Sequence, residues 1–212
     1  MALHAHRSGE GAQALADEIV TRGGKAHVFR ADLGTTTAPA ALARDVVAEF
    51  GRLDVLVNSA ASMERTPLES VTEADWDRVF ALNARAPFFL TLAAARAMGD
   101  GRGVVVNISD HMAFESWPAF VPHSVSKAAV VAMTRGLAAA LAPRVRVNAV
   151  APGAVLAPDG WPAAERELYE RATPIGRVGT PEDVAGAVLY LVLAPYVTGE
   201  VLFVDGGRHG AR

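Results

Sequence analysis

The sequence contains no cysteine. That excludes disulfides, thiolate metal sites and a thiol nucleophile, and it suits a reducing cytoplasm, the compartment expected here. An excess of one charge is missing too: 20 lysines and arginines stand against 23 acids, for a formal net charge of −3. Such a balance gives no electrostatic reason to expect nucleic acid or an anionic membrane surface. Apolar runs such as AGAVLYLVLA are far shorter than a bilayer span. The opening MALHAHRSGE lacks the apolar centre of a signal peptide. His4 and His6 fall on one strand face, but no carboxylate or third histidine stands at zinc-site spacing, so no metal is expected.

What is present is a chain of 212 residues, 51% of them hydrophobic, enough for one domain over 1–212 with a sizeable core. Short β-branched runs at 2–6, 26–33, 53–60, 103–109, 145–153 and 200–207 read as strands. Between them lie helical patterns at 11–22, 38–50, 73–98, 123–141 and 181–193, the last opened by Thr180 as N-cap and Pro181 at the first helical position. Runs such as 104–108 are apolar without alternation, which suits strands covered on both faces. This alternation predicts the doubly wound, Rossmann-type α/β class, a parallel sheet flanked by helices. The least regular piece, 154–177, follows a strand end and is expected to form a substrate lid, with Glu165, Glu167 and Glu170 on the solvated side of a lid helix.

In such folds ligands bind beyond the carboxyl ends of the strands. Those ends carry Asp32-Leu33, Asn58-Ser59-Ala60, Ser109-Asp110 and Pro152-Gly153. Farther on, His123 and Lys127 stand four residues apart at the start of a helix and so share one face.

Taken together, ADL, LVNSAA, Asn83 in ALNARAPFFL, VVNIS, the His123/Lys127 pair, VRVNAVAPG, GTPEDVAGAVLYL and VTGEVLFVDGG resemble the short-chain dehydrogenase/reductase family along the whole chain. The resemblance implies hydride transfer between a nicotinamide and a carbonyl, alcohol or imine-type substrate. It implies Asn83, Asp110, His123 and Lys127 as the catalytic set. His123 stands where the family has a tyrosine, and Asp110, thirteen residues earlier, where it has a serine. Aspartate at that place resembles the pteridine reductase and dihydromonapterin reductase branch, which makes a pteridine-like substrate the expectation. Met63 would cover the flat ring there, and Trp161 would stand in the lid.

For the cofactor, the resemblance implies His6, Arg7 and Ser8 at the adenine ribose. It also implies Asp32, Leu33, Asn58, Ser59, Ala60, Lys127, Pro152, Gly153 and Val155 along the rest of the dinucleotide. An arginine with no acid before Glu10 favours a 2′-phosphate, so NADPH is expected over NADH. A protonated His123 paired with Asp110 is a reasonable general acid near neutral pH. A histidine that merely packs would instead leave a catalytically silent nucleotide-binding or scaffold protein. His111 is expected at the pocket rim, and Tyr169 is the one tyrosine placed to offer a phenol from the lid.

The family's opening strand, Gly-rich turn and helix have no counterpart, since TRGGKA lies between a helix and a strand. The expected sheet therefore lacks its first, central strand, and the natural protein is expected to start upstream of Met1. A homodimer or homotetramer through the helices at 73–98 and 123–141 completes the expectation.

Overall fold

A computed structural model describes residues 1–7, 9–115, 117–156 and 161–210. Ser8 and part of the expected lid, 157–160, lie outside the described residues. Six parallel strands alternate with helices: β1 (Ala2–Ala5), α1 (Glu10–Thr21), β2 (His27–Arg30), α2 (Ala38–Phe50), β3 (Val55–Asn58), α3 (Glu73–Phe80), α4 (Ala86–Ala97), β4 (Gly103–Ile108), α5 (Val121–Leu141), β5 (Val145–Pro152), α6 (Ala163–Arg171), α7 (Pro181–Leu193) and β6 (Val201–Val204). The α/β alternation is as expected.

The sheet comes in two pieces. One holds four strands in the order β3-β4-β5-β6, the other pairs β1 with β2. The centre of the larger sheet is buried on both faces, with Val105, Val106, Val147, Ala149 and Val150 fully enclosed. This explains their unbroken apolar runs. β3, at the end of this sheet, is less covered, and one of its faces leaves Val55 39% and Val57 42% exposed. α2 joins the two pieces, because Leu42, Ala43 and Val46 pack with Phe29 of β2, Leu56 of β3 and Leu90 of α4.

The helix expected over 73–98 contains one π-helical turn, Ala81–Arg85, between α3 and α4. Pro87 stands two residues beyond it, and a proline inside a helix lacks an N–H and crowds the carbonyl four residues back. The wider turn relieves that conflict and carries Asn83 inward. The segment expected as a lid contains a helix at the expected glutamates, α6 over 163–171. Its exposed side holds Arg166–Glu170 and Arg171–Glu167 pairs, and Tyr169 is the residue it buries.

One expectation about length needs correction. Pro118–Leu141 is long and apolar enough by composition to cross a bilayer. It is nonetheless the core helix of this fold: α5 packs along β5 and buries Ser126, Lys127 and Thr134 as well as His123.

Candidate active site

Asp110 stands just beyond the carboxyl end of β4, where it opens a 3₁₀ turn over 111–113 and accepts a 2.8 Å bond from the Met112 amide. Its neighbour Ser109 turns inward and donates to the Lys127 carbonyl at 3.0 Å, leaving Asp110 to face the helix start. There His123 Nε2 lies 3.3 Å from Asp110 Oδ2, and His123 Nδ1 lies 2.9 Å from the Ser62 carbonyl oxygen. Both neighbours of the ring accept hydrogen bonds. Nδ1 therefore donates to Ser62, and one further proton must sit between Nε2 and Oδ2 for that contact to be a hydrogen bond.

Asn83 holds the carbonyl in place. Its amide nitrogen donates to Ser62 O at 2.9 Å and to Ser126 Oγ at 3.0 Å, while its oxygen accepts from Ser62 N at 2.8 Å. Lys127, one turn beyond His123, donates from Nζ to Ile108 O at 2.8 Å. Burial lowers its ammonium to about 8, against the opposing pull of Asp110. Asn83, Asp110, His123 and Lys127 are thus brought together.

Asp110 meets a second histidine. His111 Nδ1 lies 3.1 Å from Asp110 Oδ1 and 3.1 Å from the Pro152 carbonyl oxygen. His111 is 5% exposed, so it is interior rather than at the rim. Burial by itself would raise the Asp110 carboxyl, but bonds from His111, His123 and the Met112 amide hold it well below the usual carboxylate range. Burial pulls the His111 imidazole down, and Asp110, Glu115 and the Pro152 carbonyl together outweigh it, so the net shift is upward.

A cleft of 480 Å³ opens at the carboxyl ends of the strands, walled by Ser59, Ile108, Pro152 and Val155 and by the apolar face of α7. Three of these residues were expected at the cofactor. Gly153 closes tightly on its surroundings: a Cβ there would come within 2.8 Å of the Tyr169 oxygen and 3.0 Å of Asp205 Cα. Tyr169 Oη accepts from the Ala154 amide at 2.7 Å, so the lid phenol is engaged by backbone rather than offered beside His123. Trp161 packs edge-on to Tyr169 at 5.7 Å.

Other expected residues fall elsewhere. Asn58 turns its amide inward, to Thr91 Oγ1 and Asn107 Oδ1. Leu33 is buried in the α2 cluster. Asp32 is exposed, accepts from Gly34 N, and lies 3.9 Å from His6 Nε2. Arg7 and Ala60 are exposed, and Met63 is 53% exposed. Sequence reasoning did not single out Ser62, Ser126 or the inward position of His111. Backbone carbonyls and buried hydroxyls leave no spacing signature. Among the described residues, no three His, Asp or Glu side chains gather as a metal site.

A family profile described as enoyl-(acyl carrier protein) reductase matches residues 2–209. An uncharacterized oxidoreductase of Methylorubrum extorquens is 38% identical over 205 residues, covering 93% of this chain and 82% of the relative. The chain belongs to the short-chain dehydrogenase/reductase family. Solved structures of short-chain dehydrogenases and reductases superimpose closely. A dehydrogenase/reductase from Sinorhizobium meliloti 1021 is 39% identical, with a TM-score of 0.91 over 98% of this chain and 84% of that one. The FolM alternative dihydrofolate reductase 1 of Brucella canis, complexed with NADP, is 33% identical, with a TM-score of 0.90 over 100% and 84%. As a short-chain dehydrogenase/reductase the protein is an oxidoreductase on a Rossmann-like fold that binds a nicotinamide cofactor.

Proposed function

We propose that this short-chain dehydrogenase/reductase is an NADPH-dependent reductase of a small substrate with a polarised C=O or C=N bond, a pteridine-like ring being the favoured class. The observation that carries the reading is the 3.3 Å contact between Asp110 Oδ2 and His123 Nε2, in a pair whose side chains are 21% and 2% exposed. The likeness to a dihydrofolate reductase complexed with NADP supports the substrate class, and the exposed Arg7 beyond β1 supports the 2′-phosphate.

Hydride chemistry is what the nicotinamide supplies when bound. Lys127, Ser59, Pro152, Gly153 and Val155 are the residues that would hold its ring and ribose, with Asp32, His6 and Arg7 toward the adenine. Ser8 belongs to the same group. The enclosed His123 does not itself reach the substrate, whereas Asp110 presents an open side. The proton therefore passes from Nε2 to Oδ2 and on to the substrate oxygen or nitrogen. His123 is left neutral, still donating from Nδ1 to Ser62 O. Asn83 fixes that carbonyl, and so the ring.

The proposal includes a strand–turn–helix unit beside β3 as the pyrophosphate site, supported by the unpaired edge of β3 and the bare wall of α7. Family members usually oligomerise, and a dimer or tetramer through α3–α4 and α5 is supported by the exposure of Phe89 and Val125 on those helices.

The test follows NADPH and NADH consumption with a dihydropterin and with simple carbonyl substrates. Faster turnover with NADPH is expected, and His123→Ala should lower the rate by about 10²-fold or more, the usual worth of a positioned proton donor. An unchanged rate in His123→Ala overturns the assignment. A second reading, a nucleotide-binding protein without turnover, is favoured by the engagement of both His123 nitrogens. His123→Tyr separates the two: a silent protein would gain activity where it had none, and a working one would change its pH–rate profile.

A further inference from the structure

Arg208 lies in the tail beyond β6, and no step above uses it. Its side chain is 18% exposed, and its Nε stands 3.4 Å from Oε1 of Glu115, whose side chain is 7% exposed. Nε and Nη1 are both enclosed, yet neither makes a hydrogen bond. The centre of the guanidinium lies over the Tyr169 ring, 4.5 Å from its centroid. A planar cation without aligned acceptors is stabilised by the negative face of an aromatic ring, the more so where water is excluded.

Tyr169 is the one residue that α6 buries. Its neighbour Leu168 is exposed, and Glu167 and Glu170 pair with Arg171 and Arg166 of the same helix. The Tyr169 ring meets His111 edge-on at 6.4 Å, and its oxygen accepts from the Ala154 amide, next to Gly153. α6 is thus seated through one side chain, on the segments that border the Asp110 end of the site. The turn after it rests on the same tail, where Ile175 N donates to Gly206 O at 3.2 Å. Glu115 is fixed in turn by the Trp117 indole, which donates to Oε2 at 3.1 Å.

We propose that Arg208 is a positioning residue for the lid: it clamps the Tyr169 ring from the tail and so holds α6 down over the Asp110 end of the site. This rests on the reading of 154–177 as a substrate lid.

The clamp joins three pieces distant in sequence: the segment between β4 and α5, which carries Glu115, the lid helix, and the tail. The buried faces of β4, β5 and β6 are covered by α5 and α7. Release of the Tyr169 ring therefore frees α6 and leaves the sheet closed, which is local opening rather than unfolding.

The experiment is backbone hydrogen exchange on the protein alone, with fluorine NMR of its three tryptophans labelled as fluorotryptophan. In Arg208→Leu the α6 amides should exchange about tenfold faster, the size that loss of a desolvated cation–ring contact gives, with β4 and β5 unchanged. The resonance of Trp161, which packs on Tyr169, should move with α6, and that of Trp76 on α3 should stay. Arg208→Lys keeps a charge opposite Glu115 without the planar stack and should restore part of the protection, leaving α6 about threefold faster than in the original. Tyr169→Leu should loosen α6 as well, and adding Arg208→Leu to it should loosen α6 no further, because both act through one contact. Unchanged α6 exchange in Arg208→Leu overturns the proposal. So does faster exchange spread equally over β4 and β5, the mark of a residue that merely packs. Should Arg208→Leu fail to fold, Arg208→Lys carries the test, and unchanged α6 exchange there overturns it. Neither cofactor nor substrate is needed. An absence of turnover in the assays above would thus sink the reductase reading and leave this result separately readable.

Discussion

Lys127 shows what a buried ammonium costs the fold. The residue is 4% exposed, and its ammonium is satisfied by the Ile108 carbonyl oxygen. Burial, opposed by Asp110, brings it from 10.5 to about 8. The folded value is below the unfolded one, so the unfolded chain holds the extra proton between those limits. Stability therefore rises with pH from about 8 to 10.5, and below 8 the whole penalty is present. A shift of this size is worth about 3 kcal/mol, since each unit is about 1.4 kcal/mol. Lys127→Met is expected to raise Tm at pH 7 by several degrees, at about 2–4 °C per kcal/mol, and to flatten the rise above pH 8. It should also weaken nicotinamide nucleotide binding, the trade of stability against function common at such sites. Calorimetry of both proteins at pH 7 and pH 10 checks this. A lower Tm at pH 7 would mean that the bond to Ile108 outweighs the buried charge.

Helix ends were the most legible elements, because their chemistry is local. Thr180 caps α7 in a reciprocal box with Asp183, and Pro181 fills the first turn, as TPED predicts. The range 38–50 likewise coincides with α2. Thr180→Ala is expected to cost about 1 kcal/mol. A fall in Tm of about 2–4 °C by thermal melting is the matching readout. No change would show that Asp183 and its ion pair with Arg177 hold the end without the hydroxyl. Less legible was α6, whose nine residues expose charge on most sides and bury mainly Tyr169, leaving little apolar periodicity to read. The π turn was hidden for another reason. Pro87 warns of a local conflict, but whether a helix answers with a break, a kink or a wider turn depends on what it packs against. Here the answer is Asn83 reaching the Ser62 backbone.

At the scale of the molecule, residue types at family spacing announced Asn83, Asp110, His123 and Lys127. They could not tell that the His123 ring is enclosed or that Asn58 faces the interior, since which side of a strand end meets the cleft depends on neighbours distant in sequence. Among the described residues the strands fall into two sheets. β3 pairs with β4 along one edge and leaves the other edge unpaired, with Val55 and Val57 exposed on one face, while β1 pairs with β2 among the described residues. An unpaired strand edge is a template for another strand. Burying each half-exposed valine is worth about 1 kcal/mol, part of the full value for such a side chain. A strand–Gly-rich turn–helix of about thirty residues, the first half of a βαβ unit, joined ahead of Met1 should therefore occupy the slot between β1 and β3. Its strand would pair with β3, its helix would cover the α7 wall, and its turn would add backbone N–H donors for a pyrophosphate. The expected outcome is a Tm higher by several degrees together with tighter NADPH binding by calorimetry. A version with the turn glycines replaced by alanine should keep much of the first gain and lose the second. If the joined segment leaves Tm where it was, the slot is not open to a strand, and the pyrophosphate must be held by another part of the molecule.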